Sequence, residues 1–313
     1  MNADIARKIL ASSATGNNEK ALEILGREGK LTDLQSMLAF VKNSNCQTGK
    51  TAVLACSNLI RNNLITHFND LDPQVRQKLG AIMESLVPQI VDEIGKDLYC
   101  TDDERRLRAV QILGLLKKNP TTRNILAKLV QDRDEKIRAT AVNLLSKIIG
   151  PNDHDIIMSL LNDKDKRVRA NTVEALERLG NKRIVPILLR FRRDPVNRIR
   201  GNVLKALYTL GFTEIADDLA QMLDNSDNFM KASALWVITQ IKISHKKLED
   251  RAGLYFLSDN DMVFTNAKKA LLAMNTLRAL GYIEFLKSES LEGATAKQKI
   301  QKPEFKLKDT SKY

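Results

Sequence analysis

Five arginines, Arg190, Arg192, Arg193, Arg198 and Arg200, stand close together with a single acid among them, Asp194. A guanidinium presents a planar fork of donors that matches carboxylate and phosphate oxygens, so such a cluster can grip an acidic protein surface or a nucleic-acid backbone. Lys164, Lys166, Arg167 and Arg169 lie some thirty residues earlier, with Asp163 and Asp165 between them. Side by side, the two groups form one basic ridge; neutralising about four phosphates there gives a salt slope of about −3.6. An acidic protein surface satisfies the same ridge.

Patterns that carry catalysis are scarce. His67, His154 and His245 are scattered, with no HExxH and no His and Cys cluster at metal-ligand spacing. Cys46, Cys56 and Cys100 are odd in number and read as reduced, packed thiols. The TGKT at 48–51 lacks the upstream glycine and preceding strand of a phosphate loop and is read as chance. The expectation is therefore no enzyme, no cofactor and no metal. The chain begins without a basic segment followed by a long apolar run, so a cytoplasmic protein with no membrane span is expected.

The elements that must carry these residues announce themselves by repetition. EKIRAT at 135–140, KRVRAN at 166–171, NRIRGN at 197–202 and NFMKAS at 228–233 share an apolar anchor, Ile137, Val168, Ile199 and Met230. Extending the register backward gives Leu107 and Val75, and forward Val263, for seven copies of a unit about 31 residues long. Each unit reads as an apolar helix, a turn carrying Asp and a second helix opened by the phrase; 155–179 shows it best. Pro186 falls in the first turn of a first helix, and Gly180 after a second helix reads as a left-handed cap. Along the second helices the core stripe runs through Leu145, Leu176, Leu207 and Ile238. The small residues Ala139, Ala170, Gly201 and Ala232 let neighbouring helices approach closely. With hydrophobic residues at 43% and aromatics at 5%, the core must be mostly aliphatic.

An Asp, two residues, Val or Ile, then Arg and small residues before a Leu resembles the HEAT repeat, and the short unit is similar to HEAT-like repeats of bacterial proteins that include phycobilin lyase subunits. The resemblance implies an all-α fold, an α-solenoid or superhelix of stacked helix pairs, over roughly residues 67–281. Residues 1–66 lack the phrase and read as a degenerate helical cap. Residues 282–313 read as the end of the last helix and a disordered tail, with seven lysines and four acids from 287 onward. The paired His and Glu motifs of HEAT-like hydroxylases are missing.

The resemblance also offers a structural reading for Arg108, Arg138, Arg169 and Arg200, one residue after the anchors. They would form an Asp and Arg ladder, each with an acid three or four residues away. The outward face of the second helices then carries Thr140, Asn171, Asn202 and Ser233 in one column and Asn143, Glu174, Lys205, Trp236 and Lys269 in another. Trp236 breaks the polar pattern, pointing about 160° from the core stripe. It either anchors a partner or packs on Tyr208 or the terminal repeat. The expected function is a scaffold or adaptor that binds an acidic protein partner along the concave surface and basic ridge. A nucleic-acid-binding protein and an accessory subunit of a lyase-type complex are the alternatives.

Overall fold

In a computed structural model the chain is described over residues 1–12, 16–42, 46–116 and 120–291, with side chains through 285. Every regular element among these residues is a helix. The chain divides into two compact units, Met1–Gly180 and Asn181–Tyr313. Each is an α-solenoid segment of stacked helix pairs. The expected cap, 1–66, lies inside the first unit, and the expected tail beyond Leu291 falls outside the described residues. The TGKT run lies within the helix Gln47–His67, where the Thr48 hydroxyl donates to Glu19. On that helix Ala55 touches Gly26 so closely that a Cβ at Gly26 would sit 2.9 Å from its backbone. Burial of the neighbouring Cys56 pushes its thiol up to about 11.

The second helices open with one device. The first turn of a helix leaves its N–H groups without partners, and a short side-chain oxygen just before it supplies an acceptor. Asp134 takes the N–H groups of Lys136 and Ile137 to start Glu135–Leu145, and Asp165 takes those of Arg167 and Val168 to start Lys166–Leu179. Asp72, Asp102, Asp227 and Asn260 do the same for Pro73–Leu86, Asp103–Leu113, Asn228–Ile241 and Asp261–Met274. Only Val196, ahead of Asn197–Thr209, offers no side-chain cap. Gly180, at φ +70, ends Lys166–Leu179 in the left-handed conformation expected of it.

Counted from these caps, the third residue is the anchor. Ile137, Val168, Ile199, Met230 and Val263 are all buried, at most 6% exposed. Two expected anchors are corrected. Val75 occupies the slot but is 40% exposed, and the slot after Asp102 holds Arg105, paired with Asp97, rather than Leu107. Arg108 pairs with the expected Glu104 at 3.3 Å, but its other bonds go to Asn69 and Gln111 rather than to a following turn, and its guanidinium lies 5.9 Å from the Phe68 ring centroid.

The ladder itself is longer-ranged than the sequence suggests. Two residues before each cap an oxygen accepts the cap's own N–H: Asp132 from Asp134, Asp163 from Asp165, Asp194 from Val196 and Asn225 from Asp227. In the first unit these carboxylates also receive an arginine from the preceding second helix. Arg106 reaches Asp132, and Arg138 sets Nε and Nη2 on Asp163, both at 2.8 Å. Nη1 of Arg138 donates to the carbonyls of Asp132 and Arg133, so one buried guanidinium ties two turns together. For Arg138 and Arg169 the acid four residues back, Asp134 or Asp165, is a helix cap instead, whereas Glu104 does pair with Arg108.

In the second unit Arg200 holds the equivalent place, only 7% exposed, but the residue opposite is Asn225. Nη2 donates to Gln221 at 2.6 Å, while Nε, the atom that Arg138 gives to Asp163, finds no acceptor among the described residues. Burial pushes this guanidinium below its ordinary value, with Asp218 opposing and Arg193 adding to the shift.

Two outcomes follow from the ladder. Asp163→Asn should lower unfolding free energy by about 3 kcal/mol in urea titrations, because it strands a buried charge. Burial alone would raise the Asp163 carboxyl, but Arg138 and the Asp165 N–H outweigh it and hold it below the ordinary 3.8. The stabilisation is thus complete above that value and lost as pH falls through the lower folded one, so the variant should also show a shallower stability loss below about pH 4. Conversely, Asn225→Asp supplies the missing acceptor for Arg200 and should stabilise by about 1 kcal/mol, read as a rise of a few degrees in Tm.

Candidate partner-binding site

In the second unit the arginine stretch spans the end of one first helix and the start of its partner. Val185–Leu188, with Pro186 in its first turn, continues through Leu189–Phe191 into the turn that precedes Asn197–Thr209. Arg190, Arg193 and Arg198 are exposed. Arg192 is half-buried, its Nε 3.9 Å from the nearly buried carboxylate of Asp218. Arg192 and Arg193 line a hollow of about 660 Å³ with Glu214, Asp217, Asp218 and Lys247. Lys247 closes on Asp217 at 2.8 Å. The predominantly basic ridge expected at this place is therefore corrected, around Arg192 and Arg193, to a mixed field with three cationic and three anionic side chains lining one hollow.

In the first unit Lys164 and Lys166 stand exposed in their turn. Arg167 is exposed too but is held by Asp165 and, at 3.0 Å, by Glu135 of the preceding second helix. Asn171 donates its amide to the Ala139 carbonyl at 3.1 Å, so it joins adjacent helices. Asn202, in the same column of the second unit, is 4% exposed. Both asparagines were expected to face a partner; Asn202 is corrected to a packing position, while Asn171, half-buried, still lines an open hollow with Thr140 and Asn143. A short carboxamide on a close-packed helix flank meets the neighbouring helix before it meets solvent.

Trp236 is 37% exposed on Asn228–Ile241. Lys205, at the same offset in Asn197–Thr209, carries its ammonium over the indole, 5.9 Å from the ring centroid. A cation over an aromatic face is attractive and fixes the ring's tilt. Phe229, two helical turns before Trp236, is 63% exposed. The outward phase read from sequence is thus correct for Trp236, and the cation above it is the feature that periodicity alone did not supply.

Sequence reasoning missed the acids of the hollow, Glu214, Asp217 and Asp218, and its cation Lys247. They come from different helix pairs and share no repeated offset with the arginines. Among the described residues no group of three or more His, Cys, Asp or Glu is placed to hold a metal ion. No described helix is long and apolar enough to cross a membrane.

Comparison with known proteins agrees with the architecture. The family description "HEAT repeats" matches residues 91–158 and 154–239. Among solved structures, Kap121p is similar at 14% identity and a TM-score of 0.51, over 92% of this chain and 39% of that one. YIBA of E. coli is similar at 18% identity and a TM-score of 0.49, over 74% of this chain and 95% of that one. The complex of CpcE and CpcF of phycocyanin lyase from Nostoc sp. PCC7120 shows 16% identity and a TM-score of 0.44, over 73% and 94%. At such identities the likeness is one of fold alone. No curated protein matches the chain in sequence. With five of the seven recurring anchors buried, side-chain caps opening six of the seven second helices and the family match over residues 91–239, this chain carries HEAT repeats within an α-solenoid.

Proposed function

We propose that the protein is a non-enzymatic scaffold or adaptor that binds a partner protein through the outward face of its second helices, assisted by exposed cations of its turns. The observation that carries this reading is Trp236, a large aromatic held at the surface under Lys205 on a rigid helix. Stacked repeats supply extended, pre-formed surface, and buried aromatic anchors dominate the energetics of such interfaces. Lys164, Lys166, Arg190, Arg193 and Arg198, on a chain of net charge +12, favour an acidic partner. Lys205 belongs to the anchor, whereas Arg192 and Arg167 are partly committed to Asp218, Asp165 and Glu135.

Affinity capture from the native cell, with the wild type and a Trp236→Ala, Arg193→Glu variant, tests the assignment. Loss of the aromatic anchor should cost about 2 kcal/mol, or roughly thirtyfold in Kd, and the variant should lose the partner that the wild type retains. Equal recovery by both proteins sinks the site. Capture of nucleic acid alone, released steeply by salt, replaces the scaffold with a nucleic-acid binder.

A further inference from the structure

The three second helices of the second unit differ from those of the first in charge. Asn197–Thr209, Asn228–Ile241 and Asp261–Met274 contain one acid between them, Asp261 in a first turn, whereas each second helix of the first unit from Pro73–Leu86 onward carries at least one. Its first helices mix both signs, as Asp217 and Asp218 in Ala216–Leu223 and Glu249 and Asp250 beside Lys246, Lys247 and Arg251 in Lys246–Tyr255. The second helices are therefore the more uniformly cationic side of this unit, with Asp261 their single acid. On the cationic side, Phe229 and Trp236 are exposed on one helix, Lys205 lies over Trp236, and exposed Lys269 occupies the Trp236 offset in the next helix.

We infer that this face docks an acidic amphipathic helix of a partner protein, with Phe229 and Trp236 as the apolar contacts and Lys205 and Lys269 flanking them. The inference rests on the scaffold reading and names the partner's chemistry. Phe229 and Trp236 are seven residues apart, about 10 Å along the helix axis, which matches residues i and i+7 of a helix laid alongside. Ser233 lies between them, half-buried, its hydroxyl accepting the Asn197 amide at 2.9 Å, so the neighbouring helix fixes the spacing of the two aromatics. Glutamates at the Trp236 end of that stripe meet the lysines, while the exposed Asp227 lies at the other end, beside Phe229. Single-stranded nucleic acid also uses aromatic and cationic side chains, but it stacks bases on open ring faces. Here the Lys205 ammonium already stands over the Trp236 ring, 5.9 Å from its centroid, where a stacked base would lie.

Trp236 is the only tryptophan in the chain, so its fluorescence reports on this face directly. The full-length protein would be titrated with three probes: an 18-residue helical peptide with leucines at i, i+3, i+4 and i+7 among glutamates, its lysine counterpart, and oligo(dT). The glutamate peptide is expected to shift the emission saturably, and Phe229→Ala or Lys269→Glu to weaken it at least tenfold with an unchanged circular dichroism spectrum. No saturable shift, equal binding of the lysine peptide, a response to oligo(dT) alone, or indifference to both substitutions would each overturn the inference. A partner captured from cells that ignores Phe229→Ala and Lys269→Glu removes this docking face but leaves the scaffold reading in place. Absence of any captured protein removes the scaffold reading itself.

Discussion

The structure depends on how a turn carboxylate divides its oxygens. A helix pair can stack only if the tight turn inside it is fixed, and the turn is fixed when Asp163 accepts the N–H of the capping residue that follows it. The same carboxylate then receives Arg138 from the preceding pair, and Arg138 in turn donates to the carbonyls of its own turn. Local turn geometry and contact between repeats are thereby set by one pair of side chains. Because both are nearly buried, neither can be removed alone without stranding a charge, which makes the pair a strong specifier of register whatever its net stabilisation.

This constraint explains why the turn cations are poor guides to binding. An arginine in a turn has carboxylates of its own and neighbouring repeats within reach, and Arg167 and Arg192 are both drawn towards them. The second-helix flank of the second unit is built differently. Its three helices carry a single acid, Asp261, and its aromatic side chains cannot be absorbed by a turn. That is why the proposed recognition is placed there, on rigid helices, rather than among charges engaged in holding the stack together.

The fold was legible in the sequence because burial of a fixed slot demands an apolar residue: Ile137, Val168, Ile199, Met230 and Val263 could hardly be misread. Leu107 was misread because an apolar residue two places late looked like the anchor, while the true marker was the cap Asp102, which only the hydrogen bonds identify. Trp236 was legible from helical phase. Asn202 was not, since a polar residue on an outward column is buried or exposed according to how closely the next helix approaches. The hollow beside Arg192 was invisible for a different reason: its acids and cations come from separate helix pairs with no common period.

The vacant acceptor opposite Arg200 bears on how the second unit comes apart. A stack whose members touch only their neighbours has a cooperativity set by its interfaces one by one, and a weak interface divides it into blocks. The junction between Asn197–Thr209 and Asn228–Ile241 lacks the carboxylate that closes equivalent junctions in the first unit, so amide exchange should find a sub-global opening there before the rest of the array yields. The helix that presents Trp236 lies on one side of that seam. A ligand bound across it would join the two blocks, and its binding energy would appear as restored cooperativity as much as added stability.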